Sequence, residues 1–434
     1  MRRRALASAL LFTLTVAPAC DADESREEAN ADRQEAAAEA RAAAPRIAGP
    51  QAAAASKGEG EPCDGLVTGR VMPNAKAAFT RTLELIDEGY VDADVDLDSL
   101  YTGAIEGMLA RLIQLKGHPV NALLGPDELA ELVSGTKGTI VGVGVMIEHV
   151  ADIVVVRDVI AGGPAARAGL QRGDRILGID GARVQEMTLA QVVSKIRGEA
   201  GTEVALFVQR DTEEWTEKLT RDTVQVHNVE SRLLGDGVGY LRLRGFAETT
   251  AEELDAAISS LKKEGMTHLV VDLRGCPGGL LDAAIAVTGR FLAAGEAIVT
   301  VSDRKKGEKK ISAEVDGPWR ELPLVVLIGP KTASSAEIFA DAIATHKRGA
   351  LIGQETMGKG SVESVMELDG GWALKLSTGR FAGASGESRQ GKGVRPNLPV
   401  VDDDHKRAYT PLAEVDPAAD PALGLAHSWL ADRP

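Results

Sequence analysis

A serine and a lysine stand 25 residues apart in the second half of the chain. Ser334 lies in the segment Thr-Ala-Ser-Ser-Ala-Glu-Ile, and Lys359 lies between two glycines. A serine hydroxyl becomes a good nucleophile when a neighbouring base takes its proton, and a neutral lysine amine can be that base. For an exposed lysine, with a pKa of about 10.4, losing the proton at neutral pH costs about 4.6 kcal/mol. Burial can offset that cost, so Lys359 must be largely buried to act as a base.

The same two residues also fit structural roles. Ser334 and Glu337 form a Ser-x-x-Glu capping box ahead of a helix predicted over 335–346. Lys359 could equally be a solvated lysine in a glycine turn. Short motifs of this kind do not decide between chemistry and structure when each is taken alone.

A third segment supports the chemical interpretation. Residues 268–280 read His-Leu-Val-Val-Asp-Leu-Arg-Gly-Cys-Pro-Gly-Gly-Leu, which predicts a buried strand ending in a tight turn before a helix. Together the three segments resemble the C-terminal processing peptidases, also called tail-specific proteases. The motifs of that family are Asp-Leu-Arg-x-Asn-x-Gly-Gly, Ser-Ala-Ser-Ala-Ser-Glu-Ile and Phe-Gly-Lys-Gly-x-Val-Gln. The resemblance extends over roughly residues 75–402.

The resemblance assigns a role to each matching residue. It implies that Ser334 is the nucleophile, that Lys359 is its base, and that the protease core has a crotonase-like (ClpP-like) spiral fold. The N–H groups of Ser335 and of Gly278 or Gly279 would then stabilise the oxyanion. A helix start at Ser335 would add a favourable dipole.

Three positions depart from the family motifs. Cys276 replaces the asparagine of the strand turn, Thr332 replaces the small residue before the Ala-Ser pair, and Glu363 replaces a glutamine four residues after the lysine. A carboxylate directed at Lys359 favours the ammonium form of the lysine. Glu363 is therefore predicted to modulate the base.

Residues 135–222 resemble a PDZ domain of the protease-associated type. Their signature is a Gly-Val-Gly-Val loop, then Gly-Pro-Ala-Ala-Arg-Ala-Gly-Leu, then Gly-Asp-Arg-Ile-Leu-Gly-Ile-Asp-Gly. The N–H groups of such a loop can hold the terminal carboxylate of a peptide, and the next strand can pair with that peptide. The predicted peptide-binding residues are Gly142, Val143, Gly144 and Val145, although Gly-x-Gly alone would also suit a structural hairpin.

Three further segments can be distinguished by their sequence patterns. Helical periodicity predicts a small helical region over 63–134, and alternating strands and helices predict an α/β layered core over 223–404. Residues 405–434 are rich in proline and alanine and suggest a tail without assignable chemistry.

The N terminus has the features of an export signal. Residues 1–19 combine an arginine-rich start with a short apolar stretch and small residues before Cys20. Cys20 resembles the lipid-bearing cysteine of a bacterial lipoprotein, although Ala-x-Ala also suits ordinary signal cleavage. Residues 20–62 contain almost no large apolar side chains and predict a disordered tether. We therefore expect the protein on the periplasmic side of a bacterial membrane, anchored through lipid on Cys20.

Charge and cysteines limit the partners. A formal net charge of −15 argues against nucleic acid as a partner. Cys63 and Cys276 could form a disulfide in an exported protein, or Cys276 could be a free thiol. No spacing of cysteine and histidine suggests a zinc or haem site, and neither a metal nor a cofactor is expected.

The expected protein is thus an exported serine endopeptidase that cleaves unfolded or tagged polypeptides with apolar C termini. The family often forms homodimers through the helical region. One alternative is a catalytically impaired relative that only binds peptides through its PDZ domain. Another is a Ser-His-Asp esterase or lipase, which would need a Gly-x-Ser-x-Gly elbow that Ser334 lacks.

Overall fold

The computed structural model describes residues 72–92, 94–117, 120–150, 153–185, 187–402 and 407–431. The predicted export signal, the lipidation site Cys20, the tether and Cys63 lie outside the described residues. The chain forms two units, one ending at Tyr101 and one beginning at Thr102. Among the described helices, none has both the length and the apolar composition needed to cross a bilayer.

The helices and strands follow the predicted alternation. The helices are α1 (Ala75–Gly89), α2 (Leu97–Lys116), α3 (Pro126–Thr136), α4 (Pro164–Arg167), α5 (Leu189–Ile196), α6 (Thr250–Lys263), α7 (Leu281–Gly289), α8 (Ser335–Thr345) and α9 (Pro421–Ala431). The strands are β1 (Ala122–Leu124), β2 (Thr139–Gly142), β3 (Val145–Val150), β4 (Ile153–Val159), β5 (Arg175–Ile179), β6 (Ala182–Arg183), β7 (Glu203–Arg210), β8 (Glu213–Thr220), β9 (Asp222–Gln225), β10 (Val229–Leu233), β11 (Val238–Leu243), β12 (His268–Asp272), β13 (Ala297–Asp303), β14 (Gly307–Ser312), β15 (Leu324–Ile328), β16 (Ala350–Gly353), β17 (Ser361–Glu367), β18 (Ala373–Gly383) and β19 (Leu398–Pro399).

A six-stranded sheet forms the centre of the core, in the order β10-β11-β12-β15-β16-β19. Strands β11 to β19 in this order are parallel, and β10 is antiparallel at one edge. Both faces are covered, as a parallel sheet requires. Leu269 and Val271 of β12 pack on the face shared with α6, α7 and α8, while Val270 packs on the face covered by α9.

A second, antiparallel sheet packs against α7 and α8 of the core. Strand β18 pairs with β1, β13 and β17, and β14 pairs with β13. Lys359 lies just before β17, so this sheet carries the predicted base.

The region predicted as a PDZ domain forms its own sheet, in the order β3-β4-β5-β7-β8. Its core contains Val154, Ile176 and Leu206, which are fully buried. Strands β2 and β9 pair antiparallel from Thr139↔Gln225 to Gly142↔Asp222. This pair brings the two ends of the domain together, as expected for an inserted domain.

The end of the chain corrects the prediction of a tail without assignable chemistry. Helix α9 buries Leu423 and Leu430 completely against the central sheet. Just before it, Asp420 accepts hydrogen bonds of 3.0 and 2.7 Å from the guanidinium of Arg274. Arg274 in turn donates to Asp272 at the end of β12. The sequence prediction failed because the proline and alanine residues obscure the helical pattern of α9. In addition, Arg274, the ionic partner of Asp420, lies 146 residues earlier in the chain.

Ala408 and Tyr409, which precede α9 in the chain, contact both the core and the PDZ region. Arg244 donates to the carbonyl of Ala408 at 2.5 Å. The guanidinium of Arg157, on β4, lies 3.2 Å from the centre of the Tyr409 ring, and Arg172 donates to the Tyr409 carbonyl at 3.4 Å. The C-terminal segment therefore holds the PDZ region against the core.

Candidate functional site

Ser334 occupies a strained position at the carboxyl end of a central strand. It precedes α8 and follows β15, with φ 56° and ψ −119°. An ordinary N-cap residue adopts the extended region with negative φ, and a non-glycine residue with positive φ carries strain that the surrounding structure must hold. Within the described residues, the Ser334 hydroxyl makes no capping hydrogen bond. These features favour a nucleophile over a simple cap.

The glycine turn after β12 lies directly against Ser334. Gly278 and Gly279 have φ values of 93° and 151°, in the region that favours glycine. A Cβ on Gly278 would come within 2.8 Å of the Ser335 nitrogen and 2.9 Å of the Ser334 Cβ. Ser335 Oγ donates to the Gly279 carbonyl at 2.8 Å. The three predicted oxyanion residues therefore adjoin Ser334.

Other bonds tie the nucleophile segment to the same turn. Ala333 N–H donates to the carbonyl of Cys276 at 3.0 Å, and Thr332 Oγ1 donates to the carbonyl of Leu273 at 2.8 Å. Thr332 thus uses its hydroxyl to join the two segments. Cys276 is a free, fully buried thiol. Burial raises its pKa to about 12, against an opposing N–H of Gly278, so it stays protonated and is a poor nucleophile.

One buried carboxylate joins the nucleophile segment to the base loop, residues 356–360. Glu337 Oε2 accepts from the N–H groups of Ser334 and Lys359, both at 2.8 Å. Its Oε1 accepts from Thr356 Oγ1 at 2.5 Å and from Gly358 N–H at 2.7 Å. Burial raises the pKa of Glu337, and these four hydrogen bonds oppose the shift. Sequence analysis had treated Glu337 only as a capping partner, although the Ser-x-x-Glu spacing was the available signal.

The side chain of Lys359 is partly buried: 27% of it is exposed, and Nζ lies 3.0 Å from Glu363 Oε2. Glu363 is held in place because Ser361 Oγ donates to its other oxygen at 2.6 Å. Among the described residues, Lys359 Nζ makes no hydrogen bond with Ser334. Glu363 therefore faces the base in this structure, the condition on which its predicted modulating role depends.

The predicted peptide loop has the geometry of a carboxylate site. Gly142 ends β2, Gly144 has φ 78°, and Val145 begins β3, which lies at an edge of its sheet. The carbonyls of Val143 and Gly144 accept bonds from Ala165 and from residue 160. Within the described part of the chain, the N–H groups of Val143 and Gly144 donate to no protein acceptor. An incoming chain can therefore use these N–H groups and the free edge of β3.

One histidine, His346, lies at the opposite end of α8 from Ser334. His346 is the C-cap of α8, and its ring nitrogens lie 2.7 Å from the Ala297 carbonyl and 3.6 Å from Glu296. In the described ranges, no group of three or more His, Cys, Asp or Glu side chains is placed to hold a metal ion.

Comparison with known proteins gives a consistent result. Residues 237–400 match the model of peptidase family S41, and residues 155–210 match a PDZ domain. The chain is 35% identical over 330 residues to the carboxy-terminal-processing protease of Bartonella bacilliformis, covering 75% of this chain and 74% of that protein. It is 33% identical over 321 residues to the carboxy-terminal processing protease CtpA of Bacillus subtilis, covering 74% and 68%. The crystal structure of a putative S41 protease from Bacteroides fragilis shares the fold, with 17% identity, a TM-score of 0.50, and coverage of 81% and 96%.

Proposed function

Because this chain belongs to the carboxy-terminal processing proteases of peptidase family S41 and carries a PDZ domain, we propose that it is an exported endopeptidase with a Ser334–Lys359 dyad. One observation carries the proposal. The Glu337 carboxylate accepts the N–H groups of both residues. The backbones of the proposed nucleophile and of its proposed base are therefore held beside one another by a single carboxylate oxygen.

Each step of the reaction uses a residue near this anchor. Ser334 Oγ attacks the scissile carbonyl while Lys359 Nζ takes the hydroxyl proton. The oxyanion is stabilised by the N–H of Ser335, which has no helical partner at the first position of α8, and by that of Gly278 or Gly279. Lys359 then gives the proton to the leaving amine, and water hydrolyses the acyl-enzyme.

The contact between Lys359 and Glu363 represents a resting state in this proposal. The carboxylate of Glu363 lies 3.0 Å from Lys359 Nζ, so the lysine must leave this ion pair before it can accept the hydroxyl proton of Ser334.

The substrates are unfolded or tagged polypeptides with a free apolar C terminus. The available N–H groups of Val143 and Gly144 would hold the terminal carboxylate, and the peptide would extend β3 by one strand. Capture by the PDZ domain raises the local concentration of the substrate at Ser334.

The remaining features of the proposal concern location and assembly. Export through residues 1–19 and lipid on Cys20 would place the protein on the periplasmic side of a bacterial membrane. A homodimer would cover the exposed apolar side chains of α1, including Phe79 and Leu85. The layered core is proposed to follow the crotonase-like spiral arrangement.

The test is digestion of an unfolded protein by the purified chain without its export signal. Ser334→Ala and Lys359→Ala should each abolish cleavage with the circular dichroism spectrum unchanged. Ser335→Ala, the matched control one residue away, should retain cleavage. Activity lost in Ser335→Ala but kept in Ser334→Ala would move the nucleophile by one residue.

A second candidate is a protein that binds peptides without cutting them. The observation that favours it is the Lys359–Glu363 ion pair, together with the lack of a Ser334–Lys359 hydrogen bond among the described residues. Under this alternative, a peptide with a free C terminus would bind the purified chain, and no cleavage would appear at any pH between 6 and 10.

A further inference from the structure

A second loop holds the base loop from its outer side. This clamp loop comprises residues 389–394. Gly391 N–H donates to the carbonyl of Gly358 at 2.8 Å, and the side-chain carbonyl of Gln390 accepts from Gly360 N–H at 2.9 Å. The two glycines that flank Lys359 are thus both bonded to the clamp loop. Any shift of the clamp loop must therefore move the backbone of Lys359.

The clamp loop also bonds the start of the base loop. Val394 N–H donates to Thr356 Oγ1 at 2.7 Å, and Thr356 N–H donates back to the Val394 carbonyl at 3.1 Å. A side chain on Gly393 would collide with the Thr356 carbonyl, so the two loops are in direct backbone contact. The base loop is enclosed between Glu337 on one side and the clamp loop on the other.

One ion pair connects the clamp loop to the nucleophile helix. Asp341 lies seven residues after Ser334 on α8, and its side chain is only 1% exposed. The guanidinium of Arg389, the first residue of the clamp loop, contacts the Asp341 carboxylate and donates to Ser385 Oγ at 3.0 Å. A carboxylate this deeply buried requires a cationic partner. A side chain on Gly383 would collide with Asp341 Oδ2, so the carboxylate has little freedom to turn away from Arg389.

We propose that the Arg389–Asp341 pair sets the position of the Lys359 backbone relative to Ser334, so that Arg389 is a positioning residue for the reaction. This inference rests on the proposed Ser–Lys function. Arg389 reaches the reaction through Gln390 and Gly391 rather than through the reacting atoms. A displacement of about 1 Å between reacting groups can lower a rate about 100-fold.

The test compares Arg389→Met with Arg210→Met. Arg210 pairs with Asp174 in the PDZ domain, and the Asp174 side chain is also 1% exposed, so both substitutions leave an equally buried carboxylate without its cation. On a short amidated peptide, Arg389→Met should lower kcat about 10- to 100-fold, with KM changed less than about threefold. Arg210→Met should lower the unfolding temperature comparably and leave kcat near that of the wild type. Both variants are assayed below their unfolding midpoints, and circular dichroism is used to match their concentrations of folded protein.

A double variant separates positioning from stability. Asp341→Leu with Arg389→Met removes the buried charge along with its partner, so the unfolding temperature should recover. The proposal predicts that kcat stays low in this variant and that its pH–rate profile differs from that of the wild type, because Lys359 changes its place relative to Glu363. Arg389→Lys should retain part of the activity.

Several outcomes would overturn the inference. Full kcat in Arg389→Met, or a kcat that recovers together with stability in the double variant, would show that the pair serves stability alone. These results overturn this inference only if the wild type cleaves and Ser334→Ala does not. A wild type that fails to cleave, or an active Ser334→Ala, would overturn the proposed function and this inference with it.

Discussion

Replacing Glu363 with glutamine removes a negative charge 3.0 Å from the Lys359 ammonium. Ser361 Oγ donates to Glu363 Oε1, and the glutamine carbonyl can accept the same bond. The new amide group then takes the place of Oε2 and faces Nζ. An N–H donor in that position can bond the lone pair of a neutral amine and repels an ammonium. Glu363→Gln therefore removes the ion pair that Lys359 must break before it can accept a proton.

The exposure of the Lys359–Glu363 ion pair determines how much Glu363→Gln should change the rate. Two charges 3.0 Å apart attract by about 5 kcal/mol at an effective dielectric constant of about 20, and desolvation offsets much of this. Hydrogen bonds to charged groups contribute about 1.5–3 kcal/mol net. Because the lysine and glutamate side chains are 27% and 14% exposed, we expect the ion pair to contribute about 1–2 kcal/mol to the barrier. This corresponds to a factor of about 5–30 in rate.

The assay is kcat/KM for a fluorogenic peptide with a free apolar C terminus, measured from pH 6 to 10. Glu363→Gln should raise kcat/KM at pH 7 by about 5- to 30-fold. Glu355→Gln is the control, because Glu355 pairs with the exposed Arg395 and should leave the profile unchanged. An unchanged profile in Glu363→Gln would refute the modulating role, and an inactive variant would show that the carboxylate is required.

Three further predictions test other parts of the site. Amidating the C terminus of a substrate should weaken its cleavage, measured as kcat/KM against the free acid, whereas equal rates would exclude a carboxylate-binding PDZ loop. Glu337→Gln replaces one carboxylate oxygen with an amide NH2 group, which cannot accept hydrogen bonds from two N–H donors. We therefore expect kcat to fall at least about tenfold and the free energy of unfolding to fall by about 1–3 kcal/mol. A wild-type kcat would contradict the anchoring role of Glu337. Burial disfavours the Asp272 carboxylate, but Arg274 outweighs burial and holds its pKa below the usual value, so this pair stabilises the fold above about pH 3.9 and the contribution is lost as the pH falls below that. Arg274→Met should lower the free energy of unfolding, measured in urea at pH 7, by about 3–5 kcal/mol. The free energy of unfolding of this variant should also decrease less than that of the wild type as the pH falls toward 3. Unchanged unfolding would contradict this account.

Elements with local signals were predicted closely from the sequence. The helix expected over 335–346 is observed as Ser335–Thr345, and the buried strand expected within 268–280 is observed as His268–Asp272. Both are short apolar segments bounded by capping or glycine residues, so their limits are written in neighbouring residues. The family motifs likewise located Ser334, Lys359 and the glycine turn, which the fold brings together.

Features that depend on distant partners were not predictable in this way. Arg274 stands in the strand motif, but its partner Asp420 follows 146 residues later, and neither position has a periodic pattern that points to the other. The extent to which Lys359 is buried was not predictable for the same reason. It is set by how β17 pairs with β18 and by Ser361 holding Glu363, and a short glycine motif contains no information about either contact.

The capping and catalytic interpretations of Ser334 prove to be compatible, because they use different atoms. Glu337 binds the Ser334 N–H, while the Ser334 hydroxyl makes no capping bond within the described residues. A serine whose hydroxyl served as the cap would have its nucleophilic oxygen occupied. Here the glutamate alone satisfies the backbone, and its remaining acceptor capacity goes to Thr356, Gly358 and Lys359. The Ser-x-x-Glu spacing thus leaves the Ser334 hydroxyl available, as the proposed mechanism requires, and fixes the loop that carries Lys359.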